Sequence, residues 1–253
     1  MACESAAKGI RSRERKISAL GHYGIGRKMA RLTYLGHSSF IIDFGTVTVL
    51  TDPWLDPKPR ELNRLVPPAL TSAQIKKADA ILVSHWAPDH ADNYDITTIV
   101  GRTFASVVAP AEALANITVP QRNKLVATVG DRFHHYGLDV EVMPVRSQTE
   151  DAVGYIAEAD GKRVYFSGDT YDFYDLATVA ADVGIIPIGG AMTMDVLGAV
   201  SAAKKMRVKR VVPCHYGTFA RIKADPHYWA KRVVKEGAKA VPVVLSVGQA
   251  LDF

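Results

Sequence analysis

Residues 80–90 read Ala80-Ile81-Leu82-Val83-Ser84-His85-Trp86-Ala87-Pro88-Asp89-His90. The first four form a short, wholly apolar run, the mark of a strand buried on both faces. Two imidazoles and a carboxylate follow at once, and loops at strand ends are where α/β folds place their reacting groups. Taken alone, Asp89-His90 is no more than an aspartate cap beside a surface histidine. Its meaning depends on what else the chain brings to the ends of buried strands.

Two further segments have the same form. Ser167-Gly168-Asp169-Thr170 follows RVYF (163–166), and Pro213-Cys214-His215-Tyr216-Gly217 follows RVV (210–212). Asp169 alone would be ordinary turn chemistry, and His215 alone a core histidine. Together, two imidazoles and two carboxylates from three such loops can converge on one ion. Nitrogen and carboxylate oxygen suit zinc, and also manganese or iron. Two carboxylates neutralise a divalent cation and leave a position open for water. The ion would lower that water's pKa towards about 7 and make hydroxide available.

Outward from this segment, residues 30–55 (ARLTYLGHSSFIIDFGTVTVLTDPWL) predict successive strands, punctuated by Gly45 and an Asp52-Pro53 turn. Residues 55–70 predict a surface loop, and Thr71–Lys77 a short helix capped by Thr71 or Ser72. Helices are expected near 93–100 and 111–117. Strands are expected at 105–109, 124–128, 132–136 and 138–144. In the second half, strands over Val153–Ala159 and Arg163–Ser167 flank Asp160-Gly161, a two-residue hairpin signal. A helix near 172–179, a strand at 182–187, a helix at 195–206, a strand at 210–213, a helix near 226–236 and a last strand pair near 240–253 complete the chain. Two similar strand-rich halves with helices outside imply an α/β fold built as a four-layer α/β/β/α sandwich. No linker rich in Gly, Ser or Pro divides residues 31–253, which are expected to form one domain.

At these residues the chain resembles the metallo-β-lactamase superfamily, and more narrowly the branch of metal-dependent hydrolases that includes ascorbate-6-phosphate lactonase. The resemblance runs from about Arg31 to the C-terminus. It rests on Thr33-Tyr34-Leu35-Gly36-His37-Ser38-Ser39-Phe40, Thr51-Asp52-Pro53-Trp54, Ser167-Gly168-Asp169-Thr170, Ile188-Gly189-Gly190 with Thr193-Met194, and His215-Tyr216-Gly217-Thr218-Phe219, in the family's order. The family motif His-x-His-x-Asp-His reads His85-Trp86-Ala87-Pro88-Asp89-His90 here, with Ala87 where the second histidine belongs. A later family histidine falls within Pro144-Val145-Arg146-Ser147-Gln148, where Ser147 stands at its position. No histidine occurs between His135 and His215. Of the family's two ion positions, the resemblance therefore implies that the first keeps only His85. The second keeps Asp89, His90 and His215, with Asp169 as the bridging carboxylate. A single ion is expected.

The implied function is hydrolysis of a small ester, lactone, amide or phosphoester by a metal-activated water. Asp89 would hold the ion and orient the water, and His85 would hydrogen-bond the water or a substrate oxygen. His37 is placed near the site as a substrate contact or a support to the ligands, with a structural hydrogen bond as the equal alternative. Trp86 and Tyr216 are read as pocket walls or core packing. Arg146, where an ion is missing, would replace the lost charge and hold a substrate anion. Cys214 is expected to be buried and inert. His134 and His135, adjacent on a strand, must face opposite ways. The competing reading is a binding or regulatory protein of the same fold without catalysis.

Composition narrows the classes further. The chain has 253 residues, 48% of them apolar, with no run of the roughly 18–20 apolar residues that a membrane span requires. No apolar stretch follows the charges of MACESAAKGIRSRERKIS, so a secretory signal is not expected. Two cysteines make neither a disulfide framework nor a thiolate cage, and the cytoplasm is the expected compartment. Residues 1–30 carry seven Lys or Arg and two Glu, leaving 24 of each sign in the rest. The net charge of +5 thus sits in a basic N-terminal extension, read as solvated or an assembly arm. The neutral body argues against a nuclease. A di-iron oxidoreductase would need two metals. A small-molecule substrate, no nucleic acid and no membrane are expected; homo-oligomerisation stays open.

Overall fold

The structure, a computed structural model, describes residues 29–59 and 62–253. The basic extension read over residues 1–30 therefore lies, but for Met29 and Ala30, outside the described residues.

Strands β1 (Arg31–Gly36), β2 (Ser39–Asp43), β3 (Thr48–Thr51), β4 (Ala80–Leu82), β5 (Ser106–Ala109) and β6 (Lys124–Val126) belong to one sheet. Strands β7 (Arg132–His135), β8 (Leu138–Met143), β9 (Gly154–Ala159), β10 (Lys162–Phe166), β11 (Ala180–Pro187), β12 (Arg207–Cys214) and β13 (Val241–Pro242) form the other. A final strand, β14 (Ala250–Asp252), returns to the first sheet. The orders are β14-β1-β2-β3-β4-β5-β6 and β13-β12-β11-β10-β9-β8-β7. The strand pair expected near 240–253 is thus corrected. β13 runs parallel to β12, and β14 runs antiparallel to β1 in the opposite sheet. A period-2 pattern marks each as strand but does not say which edge it joins.

Among the described residues, four helices lie outside the sheets: α1 (Asn93–Thr103), α2 (Ala111–Asn116), α3 (Val196–Lys205) and α4 (Pro226–Lys235). Alternation of side chains along the strands makes three apolar layers. Leu82, Tyr34, Phe40, Tyr155, Phe166 and Val212 fill the space between the sheets. Ile81 and Val83 point the other way, against Ile96, Ile99 and Leu114 of α1 and α2. Tyr165, Ile186 and Val211 pack on Ala199, Trp229 and Val233 of α3 and α4. This is the four-layer α/β/β/α sandwich expected from the sequence, and the all-apolar β4 is buried on both faces for that reason.

The short helices expected over 71–77 and near 172–179 are single 3-10 turns, Ser72–Gln74 and Tyr174–Thr178. In the first, Ile75 already adopts extended backbone and is buried with Ala78, so core packing ends the turn before it can become an α-helix. At Asp160-Gly161 both residues take positive φ, 52° and 72°, as a type I′ hairpin requires. The loop over 55–70 is less superficial than expected. Arg64 is 9% exposed, stacks on Trp54 at 4.1 Å and donates to the carbonyls of Trp54 and Val66.

At the start of α1, Asp95 is buried and accepts the Leu55 amide at 2.5 Å. Burial, with Asp92 and Asp56 nearby, pushes its carboxyl up to about 6, against the opposing hydrogen bonds from Ser72 and Leu55. The folded state thus holds this proton more tightly than the unfolded chain. Asp95 therefore supports the fold most fully below the unfolded pKa, and that support is lost as pH rises from about 4 through 6. Asp95→Asn should remove this dependence. In urea unfolding across pH 4–7, wild type should lose on the order of 2–3 kcal/mol relative to the variant, and parallel pH profiles would contradict this.

Candidate metal centre

The parallel strands of both sheets end at one edge of the sandwich, and the candidate residues stand in the loops just past those ends. Asp52 follows β3, Ser84–His90 follow β4, Ser167–Thr170 follow β10 and His215 follows β12. His37 occupies the β1–β2 turn. Cross-braces fix these loops to one another. The Val153 amide donates to the Ser84 carbonyl (2.9 Å), the His215 amide donates to the His37 carbonyl (2.9 Å), and the Tyr155 hydroxyl reaches across the sandwich to the Val83 carbonyl (2.7 Å). Two glycines allow this approach. A Cβ at Gly168, which has φ +57°, would overlap Ser84, and one at Gly189 would overlap the His215 carbonyl.

Asp89, His90, Asp169 and His215, far apart in sequence, are brought together. Asp169 Oδ2 lies 3.4 Å from His90 Nε2 and 3.3 Å from His215 Nε2. His37 joins them, its Nε2 lying 3.2 Å from Asp89 Oδ2. Among the described residues, the ligand atoms of His37, Asp89, His90 and His215 all lie within 4.8 Å of one another, as do those of Asp52, His85 and His90.

The donor set fits a divalent cation. His37 Nε2, His90 Nε2 and Asp169 Oδ1 are buried and have no hydrogen-bond partner. Buried polar atoms are rarely left so, and these three belong to side chains that converge. Burial works against charge on Asp169, but His215 and His90 overcome it and hold the carboxyl well below the usual range. Asp89 is likewise held low, by His37, His90 and His215 against its burial. His37 is kept neutral, its pKa pushed down to about 3 by burial and by His215. His90 goes the other way. Burial disfavours its charged form, but Asp169 and Asp52 outweigh that and raise its pKa well above the usual imidazole value.

Asp52 is the residue that sequence reading passed over as a turn. It is fully buried, and its carboxylate accepts from His90 Nδ1 (2.7 Å), the Ser84 amide (2.7 Å) and the Ser84 hydroxyl (2.6 Å). The bond to His90 orients the imidazole so that Nε2 faces the cluster. An aspartate directly after β3, at a strand end like the other candidate residues, was the available signal. His85 is buried beside His90, with Nδ1 2.9 Å from the Ser84 hydroxyl, and burial together with His90 lowers its pKa.

The remaining residues are more dispersed. Trp86 borders a cleft of about 380 Å³ with Trp54 and Leu62, whereas Tyr216 borders a separate one of about 160 Å³ with Tyr34 and His37. Arg146 is exposed and meets the site loop through its backbone, its amide donating to Thr170 Oγ1 and its carbonyl accepting from the Tyr171 amide. Cys214 is buried, and burial pushes its thiol pKa up. His134 is exposed beside Asp139, while His135 turns inward to Ser106.

A family model described as a beta-lactamase superfamily domain matches residues 31–215. The chain belongs to the metallo-β-lactamase superfamily. A metal-dependent hydrolase of Pyrococcus furiosus is 36% identical over 89% of this chain and the whole of that protein. A solved structure described as a metallo hydrolase from the archaeon Ignicoccus hospitalis is 30% identical, covers 89% of this chain and 98% of its own, and superposes with a TM-score of 0.74. A metallo-β-lactamase-fold protein of Bacillus subtilis reaches a TM-score of 0.67 at 12% identity, with 89% and 99% covered, a likeness of fold alone.

Proposed function

We propose that the protein is a hydrolase that works with one divalent metal ion, held by Asp89, His90, Asp169 and His215, on a small ester, lactone, amide or phosphoester. What carries the reading is that Asp89 and Asp169 each gather with His90 and His215, and that His90 Nε2 and Asp169 Oδ1 are buried with no hydrogen-bond partner. When bound, the ion supplies Lewis acidity, making hydroxide available near neutral pH and drawing charge from the substrate's carbonyl or phosphoryl oxygen. The chain's own residues do the rest. Asp52 and Asp169 orient His90, Asp89 orients the attacking water, and neutral His85 hydrogen-bonds that water or a substrate oxygen. Trp86, Tyr216, His37 and Arg146 are the proposed substrate contacts, with Arg146 suited to an anionic group. Zinc is the first candidate ion on the nitrogen and carboxylate donors, with manganese and iron next. Residues 31–253 form the catalytic domain, and the cytoplasm is the proposed compartment.

A panel of generic p-nitrophenyl esters and phosphoesters, lactones and amides tests this. Turnover should appear in one class, vanish on chelation and return with one equivalent of divalent ion. No turnover on any class by a metal-loaded, folded chain would favour a binding or regulatory protein instead.

A further inference from the structure

We infer that His37 is itself a ligand of the ion, making a site of three imidazoles and two carboxylates. The inference rests on the one-ion reading above and deepens it, moving His37 from the substrate contacts to the ion. His37 is 1% exposed and sits in the β1–β2 turn with φ 55°, a left-handed backbone that a histidine adopts at some cost. Its tautomer follows from its neighbour. Thr218 Oγ1 lies 3.1 Å from His37 Nδ1 and also donates to the Tyr216 carbonyl at 3.2 Å. A hydroxyl has one hydrogen. With that hydrogen given to Tyr216, Thr218 can only accept from His37, so Nδ1 carries the imidazole proton and Nε2 presents a lone pair.

That lone pair faces Asp89 Oδ2 at 3.2 Å, and Nε2 has no hydrogen-bond partner. Two lone pairs opposed in a buried site repel, and a cation between them turns the repulsion into coordination. The spacing agrees. The closest donor separations, 3.2, 3.3 and 3.4 Å, match the edges of a polyhedron with bonds of about 2.0–2.2 Å. His37 repeats the arrangement of His90, whose Nδ1 is fixed by Asp52 while Nε2 faces the cluster. His85 is also fixed through Nδ1, by Ser84, but its ligand atom groups with those of Asp52 and His90 and not with the set of His37, Asp89, His90 and His215.

The test counts ligand imidazoles without reference to turnover. The full chain is loaded with one equivalent of Co(II) and examined by paramagnetic proton NMR, in which each ligand histidine gives a downfield, solvent-exchangeable N–H resonance. Three resonances are expected in wild type, three in His85→Asn and two in His37→Asn, where asparagine tolerates the left-handed turn. Manganese affinity, measured by chelator competition, should fall about 10–100-fold in His37→Asn. Should His37→Asn fail to fold, the His85→Asn count decides alone, because three resonances there leave His37 as the third ligand. One bound ion with two resonances in wild type, or two in His85→Asn, overturns the His37 assignment and leaves the hydrolase reading standing. A chain that takes up no ion overturns both. Three resonances without turnover on any substrate sustain the ligand assignment and overturn hydrolysis.

Discussion

Asp169→Ala is expected to lower turnover by on the order of 10³-fold or more while leaving the fold in place. Asp169 stands against both His90 and His215, at 3.4 and 3.3 Å. Its removal takes a negative charge and an oxygen donor from the ion's shell together. The loop does not depend on it, since the turn is set by Gly168 at φ +57° and by Thr170, which braces Arg146. The variant should therefore unfold in urea within about 1 kcal/mol of wild type while binding the ion much more weakly. Unchanged turnover in a chain carrying Asp169→Ala would remove this residue from the site.

The second large effect is expected at Asp52, a positioning residue with no direct place in the reaction. Asp52→Ala leaves two buried donors, the Ser84 amide and His90 Nδ1, without an acceptor, and leaves the Ser84 hydroxyl with His85 Nδ1 alone. Each orphaned donor costs about 1–3 kcal/mol, so a loss of roughly 3–5 kcal/mol is expected, read by urea unfolding. Asp52→Asn keeps one acceptor oxygen and should fold. Its ion affinity should fall about 10–100-fold, with kcat reduced and KM nearly constant, because His90 loses its orientation while the substrate contacts stay. If Asp52→Asn matched wild type in affinity and kcat, the proposed link from β3 through His90 to the ion would fail.

The layering was legible in the sequence because period-2 alternation and a doubly buried β4 are strong local signals. The fates of β13 and β14 were not, since two and three residues of strand pattern carry no information on which sheet edge they complete. The short segments at 72–74 and 174–178 read as helices because tertiary packing, not local propensity, cuts them to a single turn. At the site, Asp89, His90, Asp169 and His215 were legible from the loops after buried strands together with the resemblance to the superfamily, and the structure brings them together. Asp52 was hidden by Pro53, which makes a plain turn of it. His37 was left between a substrate contact and a structural role, because its decisive neighbours, Thr218 and Asp89, lie far along the chain and meet it only in the folded protein. Trp86 and Tyr216 turn out to border different clefts, which sequence proximity to the site could not distinguish.

The proposed site holds one ion, because Ala87 and Ser147 stand where the resemblance to the superfamily implies histidines. Elemental analysis of the folded chain, loaded with excess zinc or manganese and then freed of loosely held ion, measures it directly. One ion per chain is the predicted result, and two tightly held ions, or none, would contradict it.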